Sequence, residues 1–190
     1  MAKAAARENP ATQAYNQGLA SVLAHPIFSE MVRGLSLRRN DHSQCPADGW
    51  LQASLENSHG TAQLDIHPRR LAAPEEWAYC IARGMLSFAL AHFQRDRAHW
   101  ACWSAACDVV SARFIQAIKL GRPPEGMELP AGLPQRDEAQ WYTQFCEHGV
   151  PGWAQSLSLA GQQPSLHLPQ TWPPEQSTLP AWRRSYDWPA

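Results

Sequence analysis

The stretch from residue 74 to about residue 94 constrains this fold most. Pro74-Glu75-Glu76 suits a helix start. Proline is pre-set for a first turn, and acidic side chains favour the positive end of the helix dipole. Trp77, Ile81, Met85 and Phe88 then recur at helical spacing, one large apolar side chain per turn. A second long helix reads from about residue 98 to 120. Trp103, Cys107, Val110, Phe114 and Ala117 share one of its faces, and Gly121 with Pro123-Pro124 stops it. Two such faces need an apolar layer to cover them.

The residues before them supply that layer. Val32, Leu35 and Leu37 are separated by Arg33, Gly34 and Ser36, as in a short strand. Residues 40–49 are polar, include Pro46 and Asp48-Gly49, and read as a loop. Trp50, Ala53 and Leu55 suggest a second strand, residues 57–60 a turn and residues 61–66 a third strand. The fold expected is α+β: a small antiparallel sheet of about three strands, including a hairpin, packed on two long helices.

Three flanking parts complete the plan. An N-terminal helical extension spans residues 1–24, with Tyr15, Leu19, Val22 and Leu23 at helical spacing, and His25-Pro26 ends it. Residues 136–147 read as a short helix carrying Trp141, Tyr142 and Phe145. Residues 150–190 hold seven Pro and four Trp with little periodicity, and read as an extended tail.

A net charge of −1 gives no general pull toward nucleic acid or membrane. The five Cys include no C-x-x-C pair, which argues against a zinc ribbon or a thioredoxin-type site and for a reducing compartment. Lys3 and Arg7 are followed by no continuous apolar run, so a signal peptide is not expected. No stretch approaches the roughly 18 apolar residues of a membrane span. A cytoplasmic protein is the expectation.

Residues 25–149 resemble a bacterial family of metallopeptidase-like domains found with von Willebrand A-like domains and MoxR-type AAA+ ATPases. The pieces that carry the resemblance are His25-Pro26-Ile27-Phe28, Asp48-Gly49, residues 74–92, residues 103–111, residues 129–133 and residues 138–142, in that order. The resemblance implies a zincin-like fold with a zinc helix of the H-E-x-x-H type. It also implies an aspartate, matched by Asp108, as third ligand or supporting group.

Here the three zinc-helix positions hold Arg83, Gly84 and Ser87. Arginine only donates, glycine has no side chain to act as a base, and a hydroxyl is a poor substitute for imidazole. His92 matches a later histidine of the family. Projected along a continuous helix it points away from Arg83, which suits a hydrogen-bonded packing role. Two readings of Arg83 remain: a guanidinium paired with Asp108 where the family binds a cation, or a surface residue.

Other candidates are weaker. Arg38-Arg39 and Arg69-Arg70 are possible nucleic-acid contacts, or simply solvated loops. In the tail, Trp172, Trp182, Arg183, Arg184, Tyr186 and Trp188 suit docking in a partner's pockets or packing on the domain itself. The expected function is that of a catalytically inactive, cofactor-free interaction or scaffold subunit of a bacterial assembly. Family association names an AAA+ ATPase or a von Willebrand A-like protein as partner. The alternatives are a metal-dependent hydrolase rearranged around Asp108, His92 or His99, and a nucleic-acid-binding accessory subunit of a mobile-element or defence complex.

Overall fold

The computed structural model describes residues 9–56, 61–93 and 97–168. Helix α1 (Pro10–Ala24) starts at a proline, and the Asn9 side chain caps the Ala11 amide. Next come a single-turn helix α2 (Pro26–Ser29), a 3-10 turn (Met31–Gly34) and three strands: β1 (Leu35–Arg38), β2 (Leu51–Glu56) and β3 (Thr61–Ile66). Helices α3 (Pro74–Ala89) and α4 (Trp100–Ala117) follow. Then come α5 (Glu138–His148), a short α6 (Gly152–Gln155) and strand β4 (Leu166–His167). Among the described residues, no helix is long and apolar enough to cross a membrane.

The sheet is mixed, with order β1-β3-β2-β4. This corrects the antiparallel, three-stranded expectation. Only β2 and β3 pair antiparallel, as the hairpin expected; β1 runs parallel to β3, and β4 runs parallel to β2. A two-residue strand has no alternation to read, and parallel pairing depends on where a long crossover returns.

Register explains the sheet's two faces. Leu51, Ala53 and Leu55 stand opposite Ile66, Leu64 and Ala62, and all six are buried. Successive strand residues point to opposite faces, so Gln63 and Asp65 fall on the other side. Both are buried there as well.

Helix α3 is the centre of the molecule. Every residue from Trp77 to Phe88 is buried, so the single stripe of the sequence reading understates its burial. Three neighbours account for this: α1, the sheet and α4 each pack against it. Two glycines mark the closest approaches. A Cβ on Gly18 would lie 2.6 Å from the Pro74 carbonyl and the Trp77 Cβ. A Cβ on Gly84 would lie 2.9 Å from side-chain atoms of both Leu51 and Leu64. The helix stops at Ala89, short of the expected residue 94, and Ala91 turns the chain with φ of 55°.

Residues 150–168 do not form a tail. Ala154, Leu157, Leu159, Ala160 and Leu166 are buried, and Trp153 meets Trp141 and Phe145 edge-on. The boundary expected at residue 149 therefore falls inside the folded unit. The proline content of this segment goes with turns that carry it back over the core, and a lack of periodicity does not prevent burial.

Candidate functional site

The three positions singled out on α3 have three different fates. Gly84 faces the sheet, where any side chain would have to displace the methyl groups of Leu51 and Leu64. Ser87 is buried, and its hydroxyl donates back to the Arg83 carbonyl one turn earlier, at 3.4 Å.

Arg83 points into the interior with 0% exposure. Its Nη2 donates to Asp108 Oδ1 at 2.9 Å, to the Asp108 carbonyl at 3.3 Å and to the Leu157 carbonyl at 2.8 Å. Its Nε donates to Ser111 Oγ at 3.4 Å. The guanidinium lies 5.5 Å from the Tyr79 ring centroid, a cation–π distance. Of the two sequence readings, the paired one describes this arrangement. Arg83 is not a surface residue.

Arg83 Nη1 is buried without a hydrogen-bond partner, whereas Asp108 uses both carboxylate oxygens. Its second carboxylate oxygen accepts a 2.8 Å bond from Ser165 Oγ. Burial pushes its carboxyl up to about 6, against the downward pull of Arg83 and the Ser165 hydrogen bond. The pair is stitched together from α3, α4 and residues 157–165. Sequence reasoning named Arg83 and Asp108, and set Ser111 beside Asp108 on the polar flank of its helix, but missed Leu157 and Ser165. A backbone carbonyl from a non-periodic segment gives no sequence signal.

A groove of about 660 Å³ opens above this pair. Asp108 lies on its wall with Ser104, Met127, Gln155 and Gln163, and carboxylates of Asp48 and Glu125 stand around it. The groove has a mixed lining, more apolar than polar, and is built largely by residues 150–164, the part the sequence reading treated as a tail.

The remaining histidine candidates sit elsewhere. His92 is buried, its Nε2 is 3.1 Å from Glu138 Oε1, and its carbonyl accepts a bond from Trp103 Nε1 at 2.6 Å. It lies beyond the end of α3, so a helical projection does not fix its direction. The hydrogen bond from His92 holds the Glu138 carboxyl below its usual range. His99 is exposed at the start of α4. Among the described residues, no three His, Cys, Asp or Glu side chains gather as a metal site would require. The zinc that the family resemblance implies does not fit. A guanidinium has no lone pair to offer, and it holds the carboxylate that the resemblance gives as third ligand or supporting group.

The four arginines proposed as nucleic-acid contacts all have partners within the chain. Arg38 grips Asp65 through two bonds of 2.6 and 3.0 Å. Arg39 donates to Thr12 and to the Ala11 carbonyl, and covers the Tyr15 ring at 4.6 Å. Arg70 donates to the Gly49 and Asp48 carbonyls and stacks on Trp50. Arg69 alone is well exposed, in a pair with Asp41 at 3.2 Å. Trp172, Trp182, Arg183, Arg184, Tyr186 and Trp188 lie outside the described residues.

No family model, no curated protein and no solved structure matches this chain.

Proposed function

We propose that this chain is a non-catalytic metallopeptidase-like protein, zincin-like in fold, serving as an interaction or scaffold subunit of a larger assembly. One observation carries the reading. A buried guanidinium holds Asp108 at the position where the resemblance puts a catalytic metal. The packing of Leu51 and Leu64 against Gly84 supports it from a second side, since a side chain at the general-base position would displace their methyl groups. A fold kept while its reaction is lost suits a protein that works by binding. An AAA+ ATPase or a von Willebrand A-like protein is the proposed partner, and the tail tryptophans are the proposed anchors.

Two measurements test this. Purified full-length protein incubated with zinc and then desalted should carry no stoichiometric metal. Stoichiometric zinc that disappears in Asp108→Ala would replace this reading with that of a metal-dependent hydrolase. A MoxR-type ATPase from the same source should bind the intact chain and lose affinity for Trp182→Ala/Trp188→Ala. Undiminished binding to that variant would remove the tail from the interface. No observation favours the hydrolase or the nucleic-acid reading over this one.

A further inference from the structure

Cysteines 102 and 146 lie on helices α4 and α5, which pack against each other. Cys102 is half-buried on α4, and Cys146 is exposed in the last turn of α5. The Cys102 thiol donates to the Phe145 carbonyl at 3.6 Å, which sets its sulfur against the backbone next to Cys146. The other cysteines are placed differently. Cys80 and Cys107 are buried, and Cys45 sits by Pro46 with its thiol pushed up to about 12 by burial. Sulfur chemistry needs a thiolate and access to the oxidant, which favours the exposed Cys146 as the first point of attack.

We propose that Cys102 and Cys146 form a reversible disulfide under a peroxide-class oxidant, and that it locks α5 to α4. In the first step the Cys146 thiolate attacks a peroxide oxygen and the O–O bond breaks. This gives a sulfenic acid on Cys146 and hydroxide, which takes up a proton as water. In the second step the Cys102 sulfur attacks the Cys146 sulfur. The S–O bond breaks, and the departing hydroxide leaves as water with the Cys102 proton. Two thiols are oxidised by two electrons, and one peroxide is reduced to two waters. A dithiol reductant reverses the bond through exchange.

The position of the bond gives it a consequence. From α5 the chain passes through Gly149 at φ of 81° into residues 150–168. That segment builds the groove and supplies Leu157 and Ser165 to the Arg83–Asp108 pair. Pinning the last turn of α5 anchors the root of this segment. The inference stands on the α4–α5 contact and is independent of the pseudoenzyme reading.

The test uses the folded, full-length protein treated with stoichiometric hydrogen peroxide. Non-reducing mass spectrometry should show the loss of two hydrogens and of two alkylatable thiols. Fragmentation should map the link to Cys102 and Cys146, and dithiothreitol should restore both thiols. The oxidised protein should melt roughly 5–10 °C higher, since closing a long loop restricts the unfolded chain. Amide exchange across residues 150–168 should slow. Cys102→Ser should leave Cys146 as a sulfenic acid that a dimedone-type reagent captures. Three results would overturn the proposal: a link to Cys45, a link that forms only after denaturation, or Cys146 over-oxidation in the unmodified sequence with Cys102 still free.

Discussion

Among the described residues, two arginine–aspartate pairs reach into the fold, and they are built on different principles. Arg38 and Asp65 are register partners on adjacent strands, directly opposite each other. Two guanidinium nitrogens meet two carboxylate oxygens there, and the arginine side chain stays 24% exposed. Gln63 and the Gln44 amide also donate to Asp65. Arg83 and Asp108 come from two helices, and the closing contacts come from a third segment far along the chain. One nitrogen of Arg83 serves three acceptors, and its side chain is wholly buried. The sheet pair can keep part of its hydration. The interior pair has only the protein to replace water, so each of its neighbours carries more weight.

The comparison is tested hardest by removing one member of the interior pair. Arg83→Met strands a buried carboxylate and should cost about 3–5 kcal/mol, read by urea denaturation. Arg83→Met with Asp108→Leu should recover most of that loss, because no charge is then left unpaired. Failure of the double variant to recover would mean that the Leu157 and Ser111 contacts matter more than charge.

Titration gives the next effect. The folded carboxyl of Asp108 binds its proton more tightly than a free carboxylate. Between pH ~4 and ~6 the folded state therefore holds a proton that the unfolded state has lost. This contribution to stability is present below pH ~4 and lost as pH rises through ~6, about 3 kcal/mol in all. Urea midpoints of the unmodified protein and of Asp108→Asn, measured across that range, should converge or diverge accordingly. A constant difference would show that Asp108 does not titrate there.

Smaller effects sharpen the contrast. Gly84→Ala should cost about 1–3 kcal/mol in thermal denaturation, because Leu51 and Leu64 must shift. Arg38→Lys gives up the two-pronged grip on Asp65 and should cost about 1 kcal/mol. Arg69→Ala breaks only an exposed pair and should change stability by less than about 0.5 kcal/mol. Equal losses for Arg38→Lys and Arg69→Ala would erase the distinction between sheet and surface pairs.

Legibility in the sequence followed the same divide. Helices α3 and α4 and strands β2 and β3 were readable, because periodicity and turn residues are local signals. Arg83 and Asp108 were paired only through the family resemblance, which puts both positions at one metal. Their environment was not readable, since Leu157 and Ser165 lie in a proline-containing stretch with no period. The parallel pairing of β1 and β4 was hidden for the same reason: each joins the sheet through contacts distant in sequence. Gly84 looked like a lost catalytic residue. The structure adds a packing reason for glycine there, which only the position of the sheet could reveal.

The contact between Ser165 and Asp108 has a temporal side. A chain made from its N-terminus presents Arg83 and Asp108 long before residue 165 exists. Until then the carboxylate lacks one donor and the guanidinium lacks the Leu157 carbonyl. On the ribosome, α3 and α4 can meet early, but their charged centre can close only after residue 165 has been made. A chain stopped before residue 165 would carry an unfinished interior, open for proteases to find.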